Sequence, residues 1–371
     1  MSLLQLALLG AASLARADYF SKDPLVDKVV PYDQIPYQVM TDRDDPRGFQ
    51  TGYNICNATT ENQDSMCQTM FVNHIDDLCL WAPPKPNTTI AESEGEEVAW
   101  CSKKGHGTRL IPAGALLSVQ YIQTPSYIQI AGAVNQAMLN IGGTDGGELD
   151  SGGQDGEGNP MGGLVYSNAF PSAGGNNGTF VQAQHWSFFI GNNYFCGKIC
   201  DQTGSNPQGL CNNIYDRLGC DYNAPASVQP GTFEVCKGDD MTPVGTYTGA
   251  DSKTSVYHQP PEDVPIDFSA LPYSPTPAPS SSCTPFASTA LYTDLAAVTA
   301  APGNGASASG SAPTGSGAGS SGGAGAGSGT GSAGAPGQSQ SGTPTGAARA
   351  LCVHVGIAVL SAAVVAVGMV L

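Results

Sequence analysis

The chain is short of basic residues, of helical patterning and of tryptophan, and each shortage removes a class of function. Lys and Arg number 14 against 31 Asp and Glu, for a formal net charge of −17. A nucleic-acid binder needs a basic face, so nucleic acid is excluded as a general partner. Long amphipathic patterns with a 3.6-residue period are missing, which argues against a helical bundle. The predicted folded part has no G-x-S-x-G elbow for a serine hydrolase, and no H-E-x-x-H for a zinc protease. Nothing calls for a cofactor. The 3 tryptophans, Trp81, Trp100 and Trp186, are too few for an obvious sugar platform and read as core. Residues 301–344 contain no aromatic and no charged residue, so they have nothing to bury and are expected to form a disordered stalk.

What is present points to the secretory pathway. A short apolar run near the N-terminus leads to Ala15-Arg16-Ala17, a signal-peptidase pattern, so residues 1–17 read as a signal peptide. The mature start at Asp18 also excludes a histidine-brace copper oxidase, which begins on histidine. At the other end, residues 351–371 carry no charge, and no Lys or Arg follows them to fix a retained helix. Small residues, a short spacer and an apolar tail are the marks of a glycosylphosphatidylinositol (GPI) signal. Ser341, or alternatively Gly346, is the expected attachment residue, and 346–371 the segment removed on maturation. The implied partner is the outer leaflet of the plasma membrane, through that lipid.

Cysteine arithmetic fits. Of 11 cysteines, Cys352 lies in the proposed tail. Ten remain: Cys56, Cys67, Cys79, Cys101, Cys196, Cys200, Cys211, Cys220, Cys236 and Cys283. An even set in a secreted chain implies disulfides, and the spacing leaves the pairing open. Zinc at Cys196-x3-Cys200 is the weaker alternative. Asn57, Asn87 and Asn177 each begin an N-x-Thr acceptor among turn formers, and are the expected N-glycosylation sites.

Between residues 110 and 141, Val, Ile and Tyr alternate with polar residues in short pieces punctuated by Pro and Gly. "GLVYSNAFP", "TFVQAQHWSFFIGNNYFC" and "GTFEVC" continue that strand pattern. "CNNIYDRLGC" predicts a short helix with Ile214, Tyr215 and Leu218 on one face. The expected fold is mainly β: a disulfide-stapled, sandwich-like ectodomain with short helices over 18–283. A Gly/Ser/Ala/Pro-rich stalk then fills 284–345.

Three groups are candidates for chemistry. Lys103, Lys104, His106 and Arg109 form the densest cationic patch, suited to an acidic sugar unless upstream glutamates neutralise it. Asp145, Glu148, Asp150 and Asp155 sit in a Gly-rich stretch and offer hard oxygen ligands for calcium, although at no EF-hand spacing. Asp76, Asp77, Glu148 and Asp150 are the carboxylates available for a glycosidase pair.

The stretch from "YNICNATTENQDSMCQTMFVNHIDDLCLW" to "CSKKGHGTRLIPAGAL", with "GGELD", "VYSNAFP" and "DRLGCDYNAP", resembles a family of secreted basidiomycete surface glycoproteins similar to immunoreactive mannoproteins. The resemblance implies a glycosylated protein of the cell wall or membrane and carries over no catalytic residue. The stalk holds more Gly and Ala than Ser and Thr, which argues against dense O-mannosylation. Two functions follow: a wall protein with a structural, adhesive or polysaccharide-binding role, or a wall carbohydrate-active enzyme working through paired carboxylates.

Overall fold

In a computed structural model, residues 19–41, 47–144 and 146–292 are described. The chain divides into two units, Met1–Ser307 and Ala308–Leu371, and all described residues belong to the first. The signal and anchor segments, Asp145, Ser341, Gly346, Cys352 and the Gly-rich residues 301–344 lie outside the described residues. Among the described residues, no helix is long and apolar enough to cross a membrane.

The fold is a mainly β sandwich. The first sheet uses β1 (Thr69–His74), β2 (Asp77–Ala82), β3 (Val98–Cys101), β4 (Arg109–Leu110), β8 (Leu164–Ser167) and β9 (Val181–Gln182), in the order β4-β3-β2-β1-β8-β9. The second uses β5 (Val119–Gln123), β6 (Tyr127–Ala133), β7 (Gly147–Asp150), β10 (Trp186–Gly191), β11 (Tyr194–Cys200), β12 (Phe233–Gly238) and β15 (Ser280–Pro285), in the order β15-β12-β5-β6-β11-β10-β7. A separate hairpin pairs β13 (Thr246–Thr248) with β14 (Thr254–Val256).

One core fills the space between the sheets. Trp186, Phe188 and Ile190 of β10 and Phe195 and Ile199 of β11 share it with Met70, Val72, Leu78 and Leu80 of the first sheet. Trp81 and Trp186 meet across the gap, ring centroids 5.9 Å apart, both buried. All three tryptophans are therefore core.

β1, β2 and β3 are buried at nearly every position. The outer face of the first sheet is covered by the N-terminal segment. Tyr32 packs edge-on against Phe71 and Tyr166, and the Tyr166 hydroxyl donates to the Val30 carbonyl. A strand covered on both faces loses the alternation that marks a half-buried one.

The outer face of the second sheet is also covered. Segment 201–228 is stapled over it by Cys196–Cys220 and Cys200–Cys211. The other pairs are Cys56–Cys67, Cys79–Cys101 and Cys236–Cys283. Each half of the chain thus pairs within itself, and no cysteine of Cys196-x3-Cys200 is left for zinc. β15 pairs with β12 past Cys283, and Leu291 is buried in the main core, so the folded body continues beyond residue 283.

Candidate functional site

Apart from β12, the segment 201–279 lies outside the two large sheets. Its interior is a row of tyrosines. Tyr257 stacks on Tyr215 at 6.2 Å, Tyr215 meets Tyr222 at 5.5 Å, and Tyr222 meets Tyr273 at 5.4 Å. Tyr273 and Tyr247 then lie nearly parallel, 5.2 Å apart at 16°. "CNNIYDRLGC" forms a 3-10 turn, Asp216–Leu218, that runs into the short helix Gly219–Asn223. Tyr215 and Leu218 are buried as the helical reading expects, but Ile214 is 55% exposed, because the chain enters the turn only after it. Burial pushes the Tyr222 hydroxyl up from its ordinary value, so it stays neutral.

Gly245 makes the row possible. Its φ is +83°, and a Cβ there would stand 1.9 Å from the Tyr215 hydroxyl. Its N–H donates to the Tyr273 hydroxyl at 2.9 Å. At the outer end of the row is a groove of about 380 Å³, lined by Tyr222, Tyr247 and Tyr273 with the hydroxyls of Thr246, Thr248 and Ser274 on its walls. Asp240 closes one side, its carboxylate fixed by the Ser126 N–H at 3.0 Å and the Ser126 hydroxyl at 2.6 Å. Aromatic rings beside hydroxyl-bearing residues and a carboxylate are the side-chain types that recognise a ligand with both apolar faces and hydroxyls.

The four residues of the cationic patch do not converge. Arg109 is buried, donates to the carbonyls of Ser65 (2.8 Å) and Pro84 (2.9 Å), and lies over the Trp100 ring. His106 is stacked on Phe71 at 4.2 Å, and its Nε2 lies 2.6 Å from Asp77. Lys103 also reaches Asp77, at 3.5 Å. Burial pushes the Asp77 carboxyl up, but the hydrogen bonds and charges of His106, Asn73 and Lys103 together outweigh it, and it sits below its ordinary range. Asp76 pairs with His74 at 2.5 Å. Both aspartates are thus committed to histidines, and Lys104 stays exposed on the loop.

The acidic stretch is part strand. Glu148 and Asp150 lie on β7 with Leu149 between them, so both face away from the core. Glu148 is 8% exposed, and neither of its carboxylate oxygens has a hydrogen-bond partner. Burial pushes it well above the carboxylate range, helped by the charges of Asp150, Asp216 and Glu94. Asp150 Oδ1 accepts from the N–H groups of Gly152 (2.5 Å) and Gly153 (2.6 Å) and from Asn213 (2.6 Å). Asp155 is held by Arg47, 2.7 Å from Nη2. Among the described residues, the only group of three close acidic or sulfur ligands is Glu234 with Cys236 and Cys283, and those cysteines form a disulfide. Glu148, Asp150 and Asp155 belong to no such group, and Asp145, the fourth residue of the calcium candidate, lies outside the described residues.

Asn57, Asn87 and Asn177 are all exposed. At Asn57 the Thr59 hydroxyl donates to Oδ1 at 2.7 Å. The tyrosine groove was not legible in the sequence. Tyr247 and Tyr273 come from "GTYTGA" and a Pro-rich stretch, and the only local signal is threonine flanking tyrosine.

Fold and groove together define a disulfide-stapled β-sandwich with an aromatic surface groove. No family model and no solved structure matches the chain. Two appressorium proteins of Mycosarcoma maydis do: ROW1, 42% identical over 202 residues, which is 54% of this chain and 46% of that protein, and ROW2, 38% identical over 216 residues, which is 57% of this chain and 72% of that protein. The chain spans less than half the length of ROW1, and it belongs to the family of ROW2.

Proposed function

We propose that this chain is a fungal cell-surface glycoprotein that binds wall polysaccharide through the tyrosine groove. The observation that carries the reading is the parallel pair Tyr247 and Tyr273 at the mouth of a hydroxyl-lined groove. Membership of a family whose named relatives are appressorium proteins supports a surface or secreted role. Five disulfides and three exposed N-x-Thr acceptors suit an oxidising, glycosylating route. The sequence pattern supports GPI attachment at Ser341 or Gly346 and a stalk that lifts the ectodomain into the wall. Mannan is one candidate decoration, consistent with the resemblance to mannoproteins.

Co-sedimentation of the secreted protein with insoluble chitin, β-glucan and mannan tests the binding. Retention by at least one glycan, lost with Tyr247→Ala, supports the reading; no retention by any of them contradicts it. Phosphatidylinositol-specific phospholipase applied to intact cells tests the anchor: release is expected, and retention of a chain still ending at Leu371 contradicts it.

A further inference from the structure

Glu148 lies at a junction of three parts of the fold. β7 is the edge of the second sheet. Against it pack β10, the short helix Ile90–Ser93 that connects β2 to β3, and the 3-10 turn Asp216–Leu218 of the stapled segment. A carboxylate arrives from three of these four elements: Asp150 from β7, Glu94 just past the helix, and Asp216 from the turn. β10 contributes Ser187 and Phe189 opposite Asp150 and Glu148, and no charge. The remaining charges on these elements are committed elsewhere. Glu92 accepts from the N–H and hydroxyl of Thr89, and the Arg217 guanidinium donates to the carbonyls of Pro260, Pro261 and Val264. Arg47, which offsets Glu94, is engaged with Asp155.

The loop 212–219 is anchored at both ends, by Cys211 and Cys220, and rests on β7 through Asn213, which donates to Asp150. An ionised Glu148 would have no donor to receive its charge and three carboxylates around it. A protonated Glu148 carries no charge into that group. We propose that Glu148 is a proton-operated latch: while its carboxyl holds the proton the loop 212–219 stays docked on β7, and loss of the proton loosens the loop by repulsion from Asp150, Asp216 and Glu94. The sign follows from burial, which raises the folded carboxyl above its unfolded value, so the docked state binds the extra proton and weakens as pH rises. The loop contains Tyr215, the inner member of the tyrosine row, so loosening would reach the groove. That last consequence rests on the sugar-binding reading; the latch does not.

The test is hydrogen exchange of the disulfide-intact protein from about pH 5 to pH 8, with rates corrected for the intrinsic effect of pH. In the wild type, protection of 212–219 is expected to fall by about tenfold or more. In Glu148→Gln it should stay level. Asp216 is exposed, so Asp216→Asn leaves the core intact; with one repelling charge removed the docked carboxyl lies closer to its undocked value, and the fall should be smaller. Equal falls in wild type and Glu148→Gln, or an undiminished fall in Asp216→Asn, would overturn the latch. Oligosaccharide binding measured over the same range separates the two ideas: exchange that responds without any sugar binding leaves the latch standing and rejects the groove reading.

Discussion

Tyr247 and Tyr273 stack face to face, 5.2 Å between centroids and 16° between planes, one from the hairpin strand β13 and the other from a proline-rich segment some two dozen residues on. Two such rings need not be held parallel to fill a core. Here they line a groove, with three further tyrosines behind them fixing their positions. The arrangement depends on one backbone position, which gives the first prediction.

Gly245→Ala should destabilise the protein by about 1–3 kcal/mol, because the left-handed backbone and the clash with Tyr215 both oppose a side chain. Gly231→Ala is the control: its φ is +71°, yet nothing lies within 4 Å of the added Cβ. It should cost less, about 1 kcal/mol. Denaturant unfolding of the two variants checks the order; equal losses would mean the tyrosine row tolerates the intrusion.

Trp186→Ala should cost about 3–5 kcal/mol, since the ring is buried between the sheets against Trp81. Ile214→Ser, at a 55% exposed position, should stay within about 0.5 kcal/mol of wild type. Thermal unfolding at one pH distinguishes the two.

Lys198 gives a pH dependence of known sign. It is fully buried on β11, over the Tyr127 ring, with its ammonium donating to the Leu210 carbonyl at 3.4 Å. Burial pulls it down from 10.5 to about 7. Below about pH 7 both folded and unfolded states hold the proton, and the folded state carries the whole burial penalty. Between about 7 and 10.5 the unfolded state binds more protons, so this group adds stability as pH rises. Lys198→Met should therefore raise the melting temperature most near pH 5 and progressively less toward pH 10. A gain independent of pH would contradict the assignment.

Cys236–Cys283 closes a sequence separation of 47, the longest of the five, and ties β15 to β12. Replacing both cysteines by alanine should cost about 2–4 kcal/mol, more than the same change at Cys56–Cys67 with its separation of 11. Melting temperatures of the two double variants rank them.

Much of the fold was legible. β5, β6 and β11 carry enough alternation to mark strands, and their core residues Val119, Tyr121, Ile128, Ile130, Phe195 and Ile199 fall at alternate positions. β1 to β3 were silent because the N-terminal segment covers their second face, which erases the period. β7 was a candidate calcium loop because Gly and acid surround it, yet Glu148 and Asp150 are strand residues facing a covered surface. The candidate cationic patch disperses for a related reason. Sequence proximity put four cations on one loop, whereas folding buried Arg109 under Trp100 and gave His106 and Lys103 to Asp77. The groove depends on contacts between residues 215 and 273, which no local pattern reports.

The most direct measurement is calorimetric titration of soluble chitin, β-glucan and mannan oligosaccharides into the secreted protein and into the Tyr247→Ala/Tyr273→Ala double variant. Truncating an aromatic anchor at a binding site typically costs about 1 kcal/mol or more, so losing both should weaken binding by about tenfold or more. Binding by wild type with that loss in a folded double variant is the predicted result. Binding of equal strength by the double variant, or no binding of any glycan by wild type, would contradict the account.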